Sequence, residues 1–349
     1  MTGQELDSSK PIVLRVGTIF YAQEAWEQLS KNVNLLICDS QTREEFFEDL
    51  KGKYSQVQYI SRTYPSIAQT GRWDEELISH LPKSVISVSH TGAGYDQVDA
   101  HALRARSIQL SHLPKYVDNS TADTHVFLLL GALRNFNAGH HALYDGLWAT
   151  HHKSGGVPVA HDPEGKVVGI VGLGGIGRNI LKKLQPFGFK KFIYHNRKRL
   201  PEGEEDGAEY VSFDELLATA DIISINVPLS EHTRDMFDDE VLSKAKPGVV
   251  IVNTARGPVI NEEAFIKHLK SGHIRSAGID VMTGEPYANM DLVKLPNVLA
   301  LPHMGTHSYE TIKKMEEGVV RNIISAIETG HVVNLVPEQQ GHEFSKGCK

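Results

Sequence analysis

Cysteine is nearly missing from this chain of 349 residues, where only Cys38 and Cys348 occur, towards opposite ends. Two thiols so placed form neither a disulfide framework nor a zinc pattern, which points to a reducing compartment. No apolar run reaches the roughly 18 residues a membrane-crossing helix needs. Residues 1–10 lack the apolar stretch of a signal peptide, and Gly347-Cys348-Lys349 is neither a prenylation box nor the peroxisomal Ser-Lys-Leu. No membrane partner is therefore expected, and the expected location is cytoplasmic. Positive charge is not in excess either: the formal net charge is −7 with the cations dispersed, which argues against a nucleic-acid partner. Apolar content of 40% and charged content of 23% are those of a globular protein, long enough for two domains.

What is present is organised around residues 166–197. The β-branched run 167–171 reads as a buried strand feeding Gly172, Leu173, Gly174, Gly175, Ile176 and Gly177. Over 178–187, Ile180, Leu181, Leu184 and Phe187 recur at helical spacing, and Gly188 marks the stop. Phe192, Ile193 and Tyr194 form a second strand. Such a unit suits a dinucleotide. Gly172 permits the tight turn, Gly174 lets backbone approach a pyrophosphate, Gly177 lets the helix pack on the strand, and the helix N-terminus offers N–H groups to the anion.

A carboxylate is lacking where it would select NAD. The eighteenth residue after Gly177 is His195, followed by Asn196, Arg197, Lys198 and Arg199. An acid at the end of this strand would bind the ribose 2′-hydroxyl, whereas Arg197 offers a planar fork to a 2′-phosphate, so NADPH is expected over NADH.

Before this motif, strands are expected at 11–16, 33–37, 57–60, 85–88 and 107–110, and helices at 24–29, 42–50 and 74–81. Residues 121–133, apolar on most sides through Val126, Phe127, Leu128, Leu129 and Leu130, read as a helix buried between layers. Residues 139–165 read as a long irregular segment, and Trp148 within it suggests a homodimer contact. The pairs His140-His141 and His151-His152 lack the helical spacing of metal ligands, so no metal is expected. After the motif, helices at 213–218, 239–244 and 262–271 alternate with strands at 222–227, 249–253, 277–281 and 298–301. A last helix at 311–327 is expected to return to the first domain. The fold class is thus α/β with two doubly wound parallel-sheet domains. A Rossmann cofactor domain at 121–305 is inserted into a flavodoxin-like substrate domain of 1–120 and 306–349.

Three segments follow strands of the second domain: Asn253-Thr254-Ala255-Arg256-Gly257, residues 280–286 with Glu285, and Leu301-Pro302-His303-Met304-Gly305-Thr306-His307. A fourth, Thr91-Gly92-Ala93-Gly94-Tyr95-Asp96, follows a strand of the first. Reactive groups are placed on such loops. In combination these motifs resemble the D-isomer-specific 2-hydroxyacid dehydrogenases, most clearly over 91–336. Gly94-Tyr95-Asp96, Asn119-Ser120-Thr121-Ala122-Asp123-Thr124-His125 and Tyr194-His195-Asn196-Arg197 are most similar to the fungal glyoxylate and hydroxypyruvate reductases.

The resemblance implies catalysis by Arg256, Glu285 and His303, with His303 ahead of His307 as proton donor, and a substrate carboxylate on the N–H groups of Ala93 and Gly94. It implies nicotinamide-side contacts at Val227, Pro228, Thr254 and Asp280, and cofactor contacts at Ala255, Arg256, His303 and Gly305. Domain closure would bring substrate and nicotinamide together. The chemistry agrees. Reducing a 2-oxo acid needs a hydride, a proton for the developing alkoxide and a cation on the carboxylate. An imidazole held in one tautomer by Glu285 and a two-pronged guanidinium at Arg256 supply the last two. The expected substrates are glyoxylate and hydroxypyruvate. Reduction of D-lactate-type or branched 2-oxo acids is the neighbouring alternative, and a nucleotide-sensing corepressor on the same fold the distant one.

Overall fold

The computed structural model describes residues 6–344; Cys348 and the terminal tripeptide lie outside the described residues, as does the start of the 1–10 segment. The chain divides into two compact units, one made of residues through Val117 with those from Ser308 onward, the other of Asp118–His307.

The first unit is a parallel sheet of β1 (Ile12–Val16), β2 (Asn34–Ile37), β3 (Tyr59–Thr63), β4 (Ser87–Thr91) and β5 (Gln109–Ser111), in the order β2-β1-β3-β4-β5. Three of these strands begin two residues after their expected starts. Val57, Val85 and Ile108 are wholly buried yet precede the ladder, so they pack the core without pairing in the sheet. Thr42, Asp74 and Asp99 each accept a backbone N–H at a helix start, as polar caps should. The C-terminal helix Tyr309–Thr329 packs on β3 and β4 through a face that buries Met315, Val319, Val320 and Ile323. Its buried Glu316 accepts the N–H groups of Phe20, Tyr21 and Ala22 and so serves helix Gln23–Ser30, which has no side-chain cap of its own.

The second unit is a parallel sheet of β6 (Val167–Val171), β7 (Lys191–His195), β8 (Glu209–Tyr210), β9 (Ile222–Ile225), β10 (Val249–Asn253), β11 (Ile274–Ile279) and β12 (Val298–Ala300), in the order β12-β11-β10-β9-β6-β7-β8. Every residue of β9 and β10 is buried, the signature of strands covered on both faces. The two-residue edge strand β8 is too short to leave a periodic signal in the sequence.

Two expectations are corrected here. Helix Asp118–Leu133 lies on β10 and β11 with Leu128, Leu129, Ala132 and Leu133 buried, but Phe127 is 55% exposed, so apolar composition overstated its burial. Residues 139–165 are not irregular throughout, because helix Phe136–Tyr144 and the short turn of helix Leu147–Thr150 occupy the first part. Leu143, Tyr144 and Trp148 there are all exposed, so no inward-facing stripe marked the helix.

Candidate active site

The glycine turn is built as its residues require. Gly172 has φ +96°, and a Cβ there would lie 2.9 Å from the Asn226 backbone; a Cβ on Gly177 would meet the Gly172 carbonyl oxygen at 2.4 Å. The chain can pass only without side chains at these two positions. Gly174 differs, because nothing lies within 4 Å of its missing Cβ. It also opens helix Gly175–Leu184 with no side-chain cap, whereas Ser212, Asp238 and Asn261 cap later helices of this unit. Open space before uncapped N–H groups is what a pyrophosphate needs, so the residues fit a dinucleotide. Ile176 is half-buried beside this turn.

At the end of β7 the expected residues separate by role. Asn196 Oδ1 accepts from Leu173 N at 2.7 Å, so this side chain braces the glycine turn. His195 is half-buried, stacked on Tyr210, with Nδ1 donating to the Val211 carbonyl at 3.0 Å. Arg199 is engaged by Glu205 at 2.9 Å, while Arg197 is exposed. Lys198 is exposed like Arg197. The carboxylate of Asp118 lies beside the turn, 2.1 Å from where a Cβ on Gly175 would sit; nothing in the glycine spacing announces it.

The sheet order makes the loops after β10, β11 and β12 neighbours, although 20 to 50 residues separate them in sequence. Asn253 at the end of β10 holds its loop from both sides, accepting from Ala255 N and donating to the Arg256 carbonyl, each at 2.9 Å. Asp280 is 1% exposed and accepts from Met304 N at 2.6 Å and Gly305 N at 2.8 Å, and its carbonyl accepts from His303 N. Both carboxylate oxygens therefore tie down the loop that presents His303. Burial pushes the Asp280 carboxyl up, outweighing the Met304 and Gly305 N–H groups that oppose it.

His303 has φ +55°, a left-handed conformation uncommon for a side chain of this size, and its ring is part-exposed. Its Nδ1 lies 2.7 Å from Glu285 Oε2, and Glu285 Oε1 accepts from Met282 N at 2.9 Å. Burial pushes the Glu285 carboxyl up, but the His303 hydrogen bond, the Met282 N–H and the charges of His303 and Arg256 outweigh it and leave it below its ordinary value. Glu285 is thus an ionised acceptor on one ring nitrogen, Nδ1. Glu262, which sequence reading missed, accepts from Thr283 N at 2.6 Å and steadies the Glu285 loop. His307 is exposed, its N–H donating to the Met304 carbonyl at 2.9 Å.

Behind the Arg256 loop, His125 is wholly buried and bridges Thr254 Oγ1 and Ser224 Oγ, both at 2.8 Å. Asn226 Nδ2 donates to Ser224 Oγ at 2.9 Å, which ties a fourth side chain into this network. A helical histidine in an apolar run gave no sign of this network. Val227 and Pro228 follow Asn226, half-buried and exposed. In the first unit, Ala93 and Gly94 are half-buried after β4, and their N–H groups donate to nothing among the described residues. Arg62 on β3 is fully buried.

Comparison with known proteins agrees with this geometry. The family described as D-isomer specific 2-hydroxyacid dehydrogenase, NAD binding domain, matches residues 126–305. The chain is 52% identical to glyoxylate reductase 1 of Saccharomyces cerevisiae over 98% of its own length and 99% of that protein's. It superposes on the crystal structure of a glyoxylate reductase from Paecilomyes thermophila with TM-score 0.91 and 45% identity, covering 95% and 99% of the two chains. An NADPH-dependent glyoxylate/hydroxypyruvate reductase from Sinorhizobium meliloti, solved with NADP and malonate, matches with TM-score 0.82 and 29% identity over 94% and 98%. A glycine turn fit for a dinucleotide, a carboxylate–imidazole pair at the neighbouring strand ends, and full-length similarity to these enzymes establish that the chain belongs to the D-isomer-specific 2-hydroxyacid dehydrogenase family.

Proposed function

We propose that the protein reduces small 2-oxo acids to D-2-hydroxy acids with NADPH, glyoxylate to glycolate and hydroxypyruvate to D-glycerate before others. The observation that carries this reading is the 2.7 Å contact between Glu285 and His303. When bound at the glycine turn, a reduced nicotinamide supplies the hydride. His303 Nε2 gives its proton to the oxygen of the carbonyl being reduced, and Glu285 on Nδ1 holds the ring and balances its charge. Arg256 binds the substrate carboxylate and polarises the carbonyl. The N–H groups of Ala93 and Gly94 suit a carboxylate.

Preference for NADPH rests on the exposed guanidinium of Arg197 and on the S. meliloti relative described as NADPH-dependent. Homodimerisation through 139–165 is supported by the exposure of Leu143, Tyr144, Trp148 and Val159 on one segment. A cytoplasmic location is supported by the buried free thiol of Cys38. A panel of glyoxylate, hydroxypyruvate, pyruvate and branched 2-oxo acids, assayed with NADPH and NADH, tests the reading. Glyoxylate or hydroxypyruvate with NADPH should give the highest kcat/KM. A branched acid or NADH in first place would overturn it.

A further inference from the structure

The loop after β4 is held from behind by three of its carbonyls. Gly92 O accepts from Leu113 N at 2.8 Å, Ala93 O from His112 Nδ1 at 2.9 Å and Gly94 O from His90 Nε2 at 2.9 Å. A carbonyl only accepts, so His90 carries its hydrogen on Nε2 and its Nδ1 is the acceptor. The donor to Nδ1 is Arg62 NH1, at 3.3 Å. Arg62 and His90 are register partners on adjacent strands β3 and β4, which sets the two side chains beside each other.

This arrangement is unusual in its charge. Arg62 is 0% exposed, and its other contact is the neutral amide oxygen of Gln97, 2.6 Å from NH2. Its Nε has no hydrogen-bond partner. Burial pushes the guanidinium down to about 10, against the opposing charges of Asp96 and Tyr64, so it remains a cation at neutral pH. Burying a cation whose direct hydrogen-bond partners are neutral is costly, and Asp96 offsets only part of that cost, since burial still pushes the guanidinium down; such a group is retained where it serves a purpose. Here the purpose is legible in the loop. Its carbonyls point back to donors, its N–H groups at Ala93 and Gly94 are unsatisfied among the described residues, and a positive charge lies beneath it. His90 also fills the space under Gly92, its Nε2 3.1 Å from where a Cβ would sit.

We infer that Arg62 and His90 are positioning residues that aim the Ala93 and Gly94 N–H groups outward and give the loop its preference for a carboxylate over a neutral group. The inference rests on the proposed reduction of 2-oxo acids and adds to it the device that selects the acid.

The test compares glyoxylate with its neutral methyl ester in the wild type, Arg62→Gln, Arg62→Lys and His90→Ala, each checked for native circular dichroism. Arg62→Gln should raise KM for glyoxylate about tenfold or more, the worth of a charge-assisted contact, with kcat nearly unchanged and the ester unaffected. Arg62→Lys should restore part of the loss, and His90→Ala, which keeps the cation but cuts the link to Gly94, should show the same split. Equal losses for acid and ester would overturn the inference, as would an unchanged KM. Calorimetric titration with oxalate separates this from the functional reading. Oxalate bound by the wild type and about tenfold more weakly by Arg62→Gln upholds the loop assignment even if no 2-oxo acid is reduced; equal affinity, or none in the wild type, sinks it.

Discussion

Glu285 Oε2 sits 2.7 Å from His303 Nδ1 while its second oxygen is held by the N–H of Met282, so the carboxylate is fixed on both sides and the imidazole can turn only about a set axis. On the proposed mechanism, replacing His303 by Ala removes the proton donor and should lower kcat by roughly 10²–10⁴-fold. Nucleotide affinity should stay, since the glycine turn lies on a different loop. Steady-state kinetics with a fluorescence titration of NADPH check both halves; near-normal turnover at neutral pH would remove His303 from the mechanism.

Glu285→Gln keeps the shape but loses the ionised acceptor. Because the folded-state carboxyl lies below its ordinary 4.5, its contribution to stability is complete above that value and is lost as pH falls through the lower folded value. The variant should therefore show a shallower decline in stability at the acid end than the wild type, read from urea midpoints across the carboxylate range. An identical decline would mean the pair adds nothing to stability.

Arg197→Asp should shift the ratio of kcat/KM values towards NADH by about 10–100-fold, because it removes the proposed charge-assisted contact to the 2′-phosphate and adds repulsion. Asn196→Ala makes a useful contrast. It removes the acceptor of Leu173 N and should weaken both nucleotides equally, leaving the ratio as it was. If the ratio moves in Asn196→Ala and not in Arg197→Asp, the 2′-phosphate contact lies elsewhere.

His125 is pushed down to about 3 by complete burial, so the folded protein holds it neutral while the unfolded chain takes up a proton near 6.5. Its contribution is complete above pH 6.5 and drains away as pH falls towards 3, by up to about 1.4 kcal/mol per pH unit. His125→Gln should flatten that slope. It should also cost about 1–3 kcal/mol at neutral pH through the stranded hydroxyls of Ser224 and Thr254. Denaturant melts of the second unit between pH 4 and 7 measure both; an unchanged slope would show that another group drives the acid loss.

Much of the site was legible because its signals are local. The glycine turn, the strand before it and the helix after it are covalently adjacent, and steric demand at Gly172 and Gly177 leaves no other residue type at those points. Arg256, Glu285 and His303 could be singled out by resemblance, but their meeting depends on β10, β11 and β12 lying side by side, which the sheet order sets. The start of the helix at Phe136 was hidden because its large apolar side chains Phe136, Leu143 and Tyr144 are exposed and only Ala142 is buried.

By itself the sequence determined the alternation of strands and helices, the dinucleotide turn and the residue types available for proton transfer, all consequences of periodicity and of what glycine alone permits. Only the tertiary structure decided that Asp280 ties down the His303 loop, that Asn196 braces the turn while Arg197 stays exposed, and that Arg62 lies buried beneath the loop after β4. The physical reason is that a hydrogen bond or a buried charge takes its meaning from partners brought close by the sheet, and distance along the chain carries no record of them.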